Sequence, residues 1–215
     1  MKICEQYMDK YKLDVNFTFG KTLVTTMSGN CLCLVNKPNY YRDLRFKSLL
    51  DHELGTHFLR GENHRNMDDK YREVIKKNRI GWQLATEEGL ASISNHIHYT
   101  KCDLFYIPAL LYYAVCKAME HSFWDTFKSL QKYISDFDDC WVQTMRVKRG
   151  QTDTSKPGGF CKDQATFDGM LRILENRNKI DFPALFAGKV SLETYFACEN
   201  ELKLASKDEG YVCPP

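Results

Sequence analysis

Apolar and polar positions recur at two different periods along this chain, a short region of strand-like alternation followed by a long region of helical spacing. After a short amphipathic helix ending near Tyr11, Val15-Asn16-Phe17-Thr18-Phe19 alternates with a period of two and stops at Gly20. Leu23 to Thr26 and Cys31 to Val35 are further strand candidates, separated by the turn-forming Ser28-Gly29-Asn30. From Tyr40 to Leu59 the spacing becomes helical through Tyr41, Leu44, Phe46, Leu49 and Leu50. Gly61 to Arg79 is polar, lacks a clear period over much of its length, and reads as a surface excursion. Helical spacing then resumes. Thr86 is expected to cap a helix to His98, Pro108 to start one through Met119, and Ser122 to cap one through Ile134. Asp138 to Val147 makes another helix, Asp163 caps one through Asn176, and Asp181 to Ala187 and Ser191 to Leu204 suggest short ones. Trp124 and Trp141 are expected to pack in the core, and the tail 205–215 to be loose. The pattern implies an α+β fold, a small N-terminal β-sheet followed by a mainly helical body, in a single domain over 1–215.

Composition narrows the function classes. With 215 residues, 43% apolar and 27% charged, the chain can bury one sizeable core. A formal net charge of +2 does not ask for nucleic acid, because phosphate-binding domains are normally more basic. The apolar run Phe105 to Cys116 falls short of the about 20 residues needed to span a bilayer, so no membrane role is expected. The nine cysteines are odd in number, scattered and without a CxxC pair, and no signal peptide precedes them. They read as the reduced thiols of a cytosolic or nuclear protein, and the cytoplasmic setting is the one expected.

The candidate chemistry lies in Asp51-His52-Glu53-Leu54-Gly55-Thr56-His57, where two imidazoles and a carboxylate follow an apolar run. Neutral imidazole is the commonest protein metal ligand, and a carboxylate beside a ligating histidine can serve as base towards the metal's water. The spacing is HExxxH. At about 100° per residue, positions i and i+5 of a regular α-helix lie about 140° apart, so the two rings would splay. A π-type turn of about 4.4 residues would bring them to about 50°, so a widened turn is expected at Leu54 to Thr56, eased by Gly55. A bare HExxxH string also arises by chance, and a third ligand is what gives it weight. Thr86-Glu87-Glu88-Gly89-Leu90-Ala91 supplies one: Glu88 is assigned because Gly89 and Ala91 leave room for close approach to the motif helix, with Glu87 as the alternative. Two histidines and a glutamate leave a fourth position for water, and such a mixed set favours zinc. Asp51 is either a carboxylate that orients a histidine or a solvated charge.

Several separated motifs extend this reading. Tyr41-Arg42 with Arg45-Phe46, Leu49 to His57, Thr86 to Ala91, and Arg146 to Asp163 together resemble the microtubule-associated tyrosine carboxypeptidase family, over roughly residues 20–190. The resemblance implies a zinc metallopeptidase that removes the C-terminal tyrosine of α-tubulin. It implies one Zn2+ per chain on His52, His57 and Glu88, Glu53 as the catalytic carboxylate, a zincin-like fold, and α-tubulin tails on cytoskeletal microtubules as partner. Family members are longer at the N-terminus, which leaves attachment to microtubules through such an extension unaccounted for. A carboxypeptidase must also grip a terminal carboxylate, and Arg146, Lys148 and Arg149, before a Gly/Pro-rich segment, are the candidates, Arg149 being nearest the glycine turn. A mobile, solvated loop is the competing reading of that segment. The rival functions are a metallopeptidase of different specificity and a zinc-containing tubulin-binding module with little turnover. A purely structural zinc site has no need of Glu53, which argues against the last.

Overall fold

The computed structural model describes residues 2–20, 25–35, 43–97 and 104–208. Leu23, Val24, Tyr41, Arg42, His98, Cys102, Cys213 and the tail beyond Asp208 lie outside these residues, as does the Arg45 side chain. Among the described residues the chain is α+β, mostly helical with one three-stranded sheet.

Helix α1 (Lys2–Tyr11) precedes strands β1 (Asn16–Gly20), β2 (Thr26–Ser28) and β3 (Cys31–Val35). The sheet order is β1-β3-β2, with β1 parallel and β2 antiparallel to β3. Gly29 closes the β2–β3 hairpin at φ +57, a left-handed conformation that glycine adopts without a Cβ penalty. Leu32 and Leu34 point from β3 into a core shared with Cys4 and Tyr7 of α1 and Leu50 of the next helix.

That helix, α2 (Asp43–His52), runs without a break into a π segment (Glu53–Phe58) and on into α3 (Leu59–Asn66). The Leu59 N–H bonds the Leu54 carbonyl five residues back. The widened turn expected from the HExxxH spacing is present, and is longer than the three residues anticipated. The Thr56 hydroxyl lies 3.1 Å from the Asp51 carbonyl and 3.1 Å from Ser94 Oγ, tying the widened turn to a neighbouring helix.

The stretch read as a surface excursion is instead helical, α3 continuing into α4 (Asp69–Lys77). Met67, Tyr71 and Ile75 recur every four residues and are buried, an apolar stripe obscured by the charges between them. Asp68 caps α4 by accepting from the Lys70 N–H. Next come α5 (Gln83–His96), α6 (Tyr106–Glu120), α7 (Phe123–Leu130) and α8 (Phe137–Lys148). A 3-10 turn (Cys161–Asp163) leads into α9 (Gln164–Glu175), followed by α10 (Phe182–Ala187), α11 (Leu192–Ala197) and α12 (Glu199–Asp208). Residues 205–208, expected in a loose tail, continue α12, where Ala205 is fully buried.

Helix α5 is the central element, packing on α2 and the π segment on one side and on α9 on the other. A Cβ on Gly89 would overlap the Gly169 backbone, and one on Gly169 would overlap the Ala85 carbonyl, so α5 and α9 touch backbone to backbone. Room at Gly89 therefore serves contact with α9 instead of the approach to the motif helix expected of it. Thr86 also differs from expectation: it sits inside α5, and its hydroxyl accepts from the Leu192 N–H at the start of α11. Trp124 and Trp141 are exposed by 54% and 40%, so they lie on the surface of the α7–α8 pair.

Candidate metal centre

The π segment turns the His52 and His57 rings towards each other, with centroids 5.0 Å apart in an edge-to-face arrangement. Glu88 approaches from α5, and one ligand atom from each of His52, His57 and Glu88 lies within 4.8 Å of the others. Helix α5 also orients both rings. His57 Nδ1 is 3.0 Å from Glu87 Oε1. Because Glu87 is an ionised acceptor, Nδ1 carries the proton and Nε2 keeps its lone pair for a ligand. The His52 ring hydrogen-bonds the Ala91 backbone. Glu87, the alternative ligand, thus occupies the orienting position behind a histidine, and Glu88 takes the converging one.

Electrostatics follow from burial and charge. Burial, with His57 adding repulsion, lowers the His52 pKa to about 4, which keeps this imidazole neutral at pH 7. Burial opposes protonation of His57, but the hydrogen bond it donates to Glu87 and the charges of Glu87, Glu88 and Glu53 outweigh it and raise its pKa. Burial pushes the Glu53 carboxyl up to about 7, against the pull of His57 and with the help of Glu88. A carboxyl poised there suits proton transfer at neutral pH. Burial would raise the Glu87 carboxyl, yet Arg60, the His57 hydrogen bond and Lys189 hold it down at about 2. Two imidazoles and a carboxylate, each ring fixed by a hydrogen bond it donates to α5, make a donor set suited to zinc with one position left open.

The surroundings revise several expectations. Asp51 does not face solvent; it is buried and accepts from the Tyr7 hydroxyl of α1 at 2.8 Å. Arg60, three residues past His57, is fully buried, pairs with Glu87, and donates to the carbonyls of Gly188 (3.0 Å) and Val190 (2.9 Å). A cleft of about 470 Å³ opens over the triad, bordered by Thr25 and Met27 of the β2 edge, Glu53, Lys162 and Lys189.

Arg146, Lys148 and Arg149 do not border this cleft. Arg146 and Arg149 both clamp the buried carboxylate of Asp163, at 2.8 and 3.0 Å. Asp163 makes that pair instead of the side-chain cap expected of it. Lys148 is turned inward, its Nζ donating to the carbonyls of Ala118, His121, Lys156 and Gly158 at 2.5 to 3.0 Å, which fastens the Gly/Pro-rich segment to the end of α6. The clamp holds the 3-10 turn from which Lys162 reaches the cleft. Lys162 and Lys189, the cations that do line the cleft, carry no site signal in the sequence: each is a single surface-type lysine without a spacing pattern. Arg60 could have been suspected from its position one helical turn beyond His57.

A family model described as microtubule-associated tyrosine carboxypeptidase matches residues 1–205. The human protein named microtubule-associated tyrosine carboxypeptidase 1 is 44% identical over 155 residues, 71% of this chain and 32% of its own length. The rat protein of the same name is 43% identical over the same shares. The chain therefore spans about a third of the length of the curated relatives it matches.

Proposed function

The chain belongs to the microtubule-associated tyrosine carboxypeptidase family, and on that premise we propose that it is a zinc-dependent carboxypeptidase that removes the C-terminal tyrosine of α-tubulin. It acts as one zincin-like metallopeptidase domain on cytoplasmic microtubules. The observation that carries this reading is the convergence of His52, His57 and Glu88 beside a buried Glu53 whose pKa lies near neutrality.

A zinc ion on His52, His57 and Glu88 would supply a Lewis acid for the scissile carbonyl and a water of lowered pKa. Glu53 accepts the proton of the attacking water and passes a proton to the departing amine, for which a carboxyl near pKa 7 is matched. Glu87 keeps the His57 proton on Nδ1, and Arg60 in turn fixes Glu87. Edge strand β2 offers backbone groups to an extended peptide at the rim of the cleft. Lys162 supplies a cation for the terminal carboxylate from within the cleft, while Arg146 and Arg149 position it through Asp163. That arrangement transfers the gripping role, expected of Arg146, Lys148 or Arg149, to the neighbouring turn.

Mass spectrometry of a peptide copying the α-tubulin C-terminus tests the proposal. Loss of one terminal tyrosine, stopped by a chelator and by Glu53→Gln, is the expected result. An intact peptide after incubation with zinc-loaded protein would overturn it.

A further inference from the structure

Helix α8 buries Cys140, Thr144, Val147 and Lys148 and turns a second apolar face outward. Phe137, Val142 and Met145 are each more than half exposed, and Trp141 lies among them. Phe137, Trp141 and Met145 recur every four residues, so they form one stripe along the helix. Exposed apolar surface gathered in this way marks a contact site, whereas apolar residues scattered singly do not. The face is also preformed. Trp141 stacks on Phe137 with centroids 6.4 Å apart and meets the Phe123 ring edge-on at 4.7 Å, while Trp124 of α7 stacks on Phe127 at 5.3 Å. Rings held by one another lose little freedom when a partner covers them. Beside the stripe runs a groove of about 590 Å³ bordered by Trp124, Trp141, Met145, Gly150 and Gln151. None of these residues borders the metal cleft.

The charges at the two ends of the stripe identify its partner. At about 100° and 1.5 Å per residue, Asp138 and Arg149 lie about 20° apart around the axis and about 16 Å apart along it, so both flank the apolar stripe at opposite ends. Asp138 is exposed and meets no cation among the described residues. Arg149 shares the single carboxylate of Asp163 with Arg146, which leaves positive charge at that end. A face that is acidic at one end, basic at the other and apolar between them is complementary to itself once turned around, which is what an isologous two-fold contact requires.

We infer that this face is the contact between two copies of the chain, their α8 helices packed antiparallel. Setting Asp138 of one copy opposite Arg149 of the second fixes the register. Val142 then faces Met145 of the second copy, and Phe137 faces Gly150, at the edge of the groove, where its ring has room. The apolar centre supplies the affinity, and the two symmetry-related Asp138–Arg149 pairs at the rim select the orientation.

One helix and its groove lie at the low end of interface sizes, so association in the micromolar range is expected. Sedimentation velocity of the full chain over increasing concentration measures it, as a shift from a 25.1 kDa species towards twice that mass. Tryptophan emission should move to shorter wavelength over the same range as Trp124 and Trp141 are covered. Trp141→Glu should weaken the dimer at least about thirtyfold, the effect of losing a central aromatic anchor. Asp138→Lys should weaken it about tenfold at low salt, by an amount that shrinks as salt is added. Both positions are exposed, so the fold is expected to persist, which circular dichroism checks. Leu204→Glu, at an exposed apolar position of α12, should leave the dimer unchanged. A parent chain that stays monomeric at every concentration, or a dimer that survives Trp141→Glu, would overturn the inference. Equal loss with Leu204→Glu would overturn it too, by showing unspecific apolar association. An Asp138→Lys dimer as tight as the parent would overturn the antiparallel pairing.

Discussion

Replacing Glu87 with glutamine removes a charge that serves two separate purposes, and the structure assigns each a magnitude. The first is stability. Arg60 is fully buried and its only carboxylate partner among the described residues is Glu87. Holding the Glu87 carboxyl at about 2 instead of its ordinary 4.5 corresponds to roughly 3 kcal/mol, at about 1.4 kcal/mol per tenfold. Stranding one member of a buried ion pair costs about 3–5 kcal/mol, which agrees. Urea unfolding in the presence of a chelator should therefore show Glu87→Gln destabilised by about 3 kcal/mol. The second purpose is orienting His57, and loss of such a partner lowers metal affinity by about 10–100-fold, measurable by competition with a chromophoric chelator. The double variant Glu87→Gln/Arg60→Met should regain part of the stability, because its buried cation is gone although the Gly188 and Val190 carbonyls lose their donor, and none of the metal affinity, because His57 still lacks an anionic acceptor. The pH dependence has a defined sign. A depressed carboxyl pKa contributes stability that is present above the unfolded value near 4.5 and lost as the pH falls towards about 2. Unfolding of Glu87→Gln within about 1 kcal/mol of the parent, or unchanged metal affinity, would refute this reasoning.

Glu53→Gln should lower peptide cleavage by about 10²–10⁴-fold while leaving zinc content measured by atomic absorption intact; retained activity would remove Glu53 from the chemistry. Gly169→Ala forces a methyl group into the Ala85 carbonyl of α5, so thermal unfolding should reveal a loss of about 1–3 kcal/mol, and an unshifted transition would contradict the backbone contact. Lys148→Met removes the ammonium shared by four carbonyls, so limited proteolysis should cut residues 150–160 faster than in the parent; equal rates would show that the lysine does not fasten that segment. Asp163→Asn should raise KM for the carboxypeptidase substrate more than it lowers kcat, by loosening the turn that presents Lys162, whereas matching effects on both would point to a general structural role.

Features written in short stretches of sequence were legible. Ser122 caps the helix it was expected to cap, and the short helices expected from Asp181 and Ser191 begin there, all three side chains accepting from a backbone N–H three residues on. The HExxxH spacing announced its own widened turn, because the geometry of two histidines on one helix is a local matter. What escaped was decided by distant partners. Thr86 has the residue type of a cap, but the Leu192 N–H claims its hydroxyl from more than a hundred positions away. Arg146, Lys148 and Arg149 form one basic cluster in the sequence, yet Asp163 and four carbonyls take their charges. Trp124 and Trp141 remain at the surface because the α7–α8 core is filled by Phe127, Leu130 and Cys140.

The extra residue in the π segment has a consequence beyond the histidines. It sits in the middle of one continuous helical run, between α2, which packs under the sheet, and α3, whose Arg60 and Asn63 reach the backbone around α10. One added residue rotates everything after it by about 100° relative to everything before it. Shortening the motif to HExxH would still leave two histidines side by side, but it would swing Arg60 away from Glu87 and Asn63 away from the Phe186 carbonyl. The spacing of the metal motif and the mutual orientation of two halves of the molecule are thus inherited as a single character, which a one-residue deletion cannot alter in part.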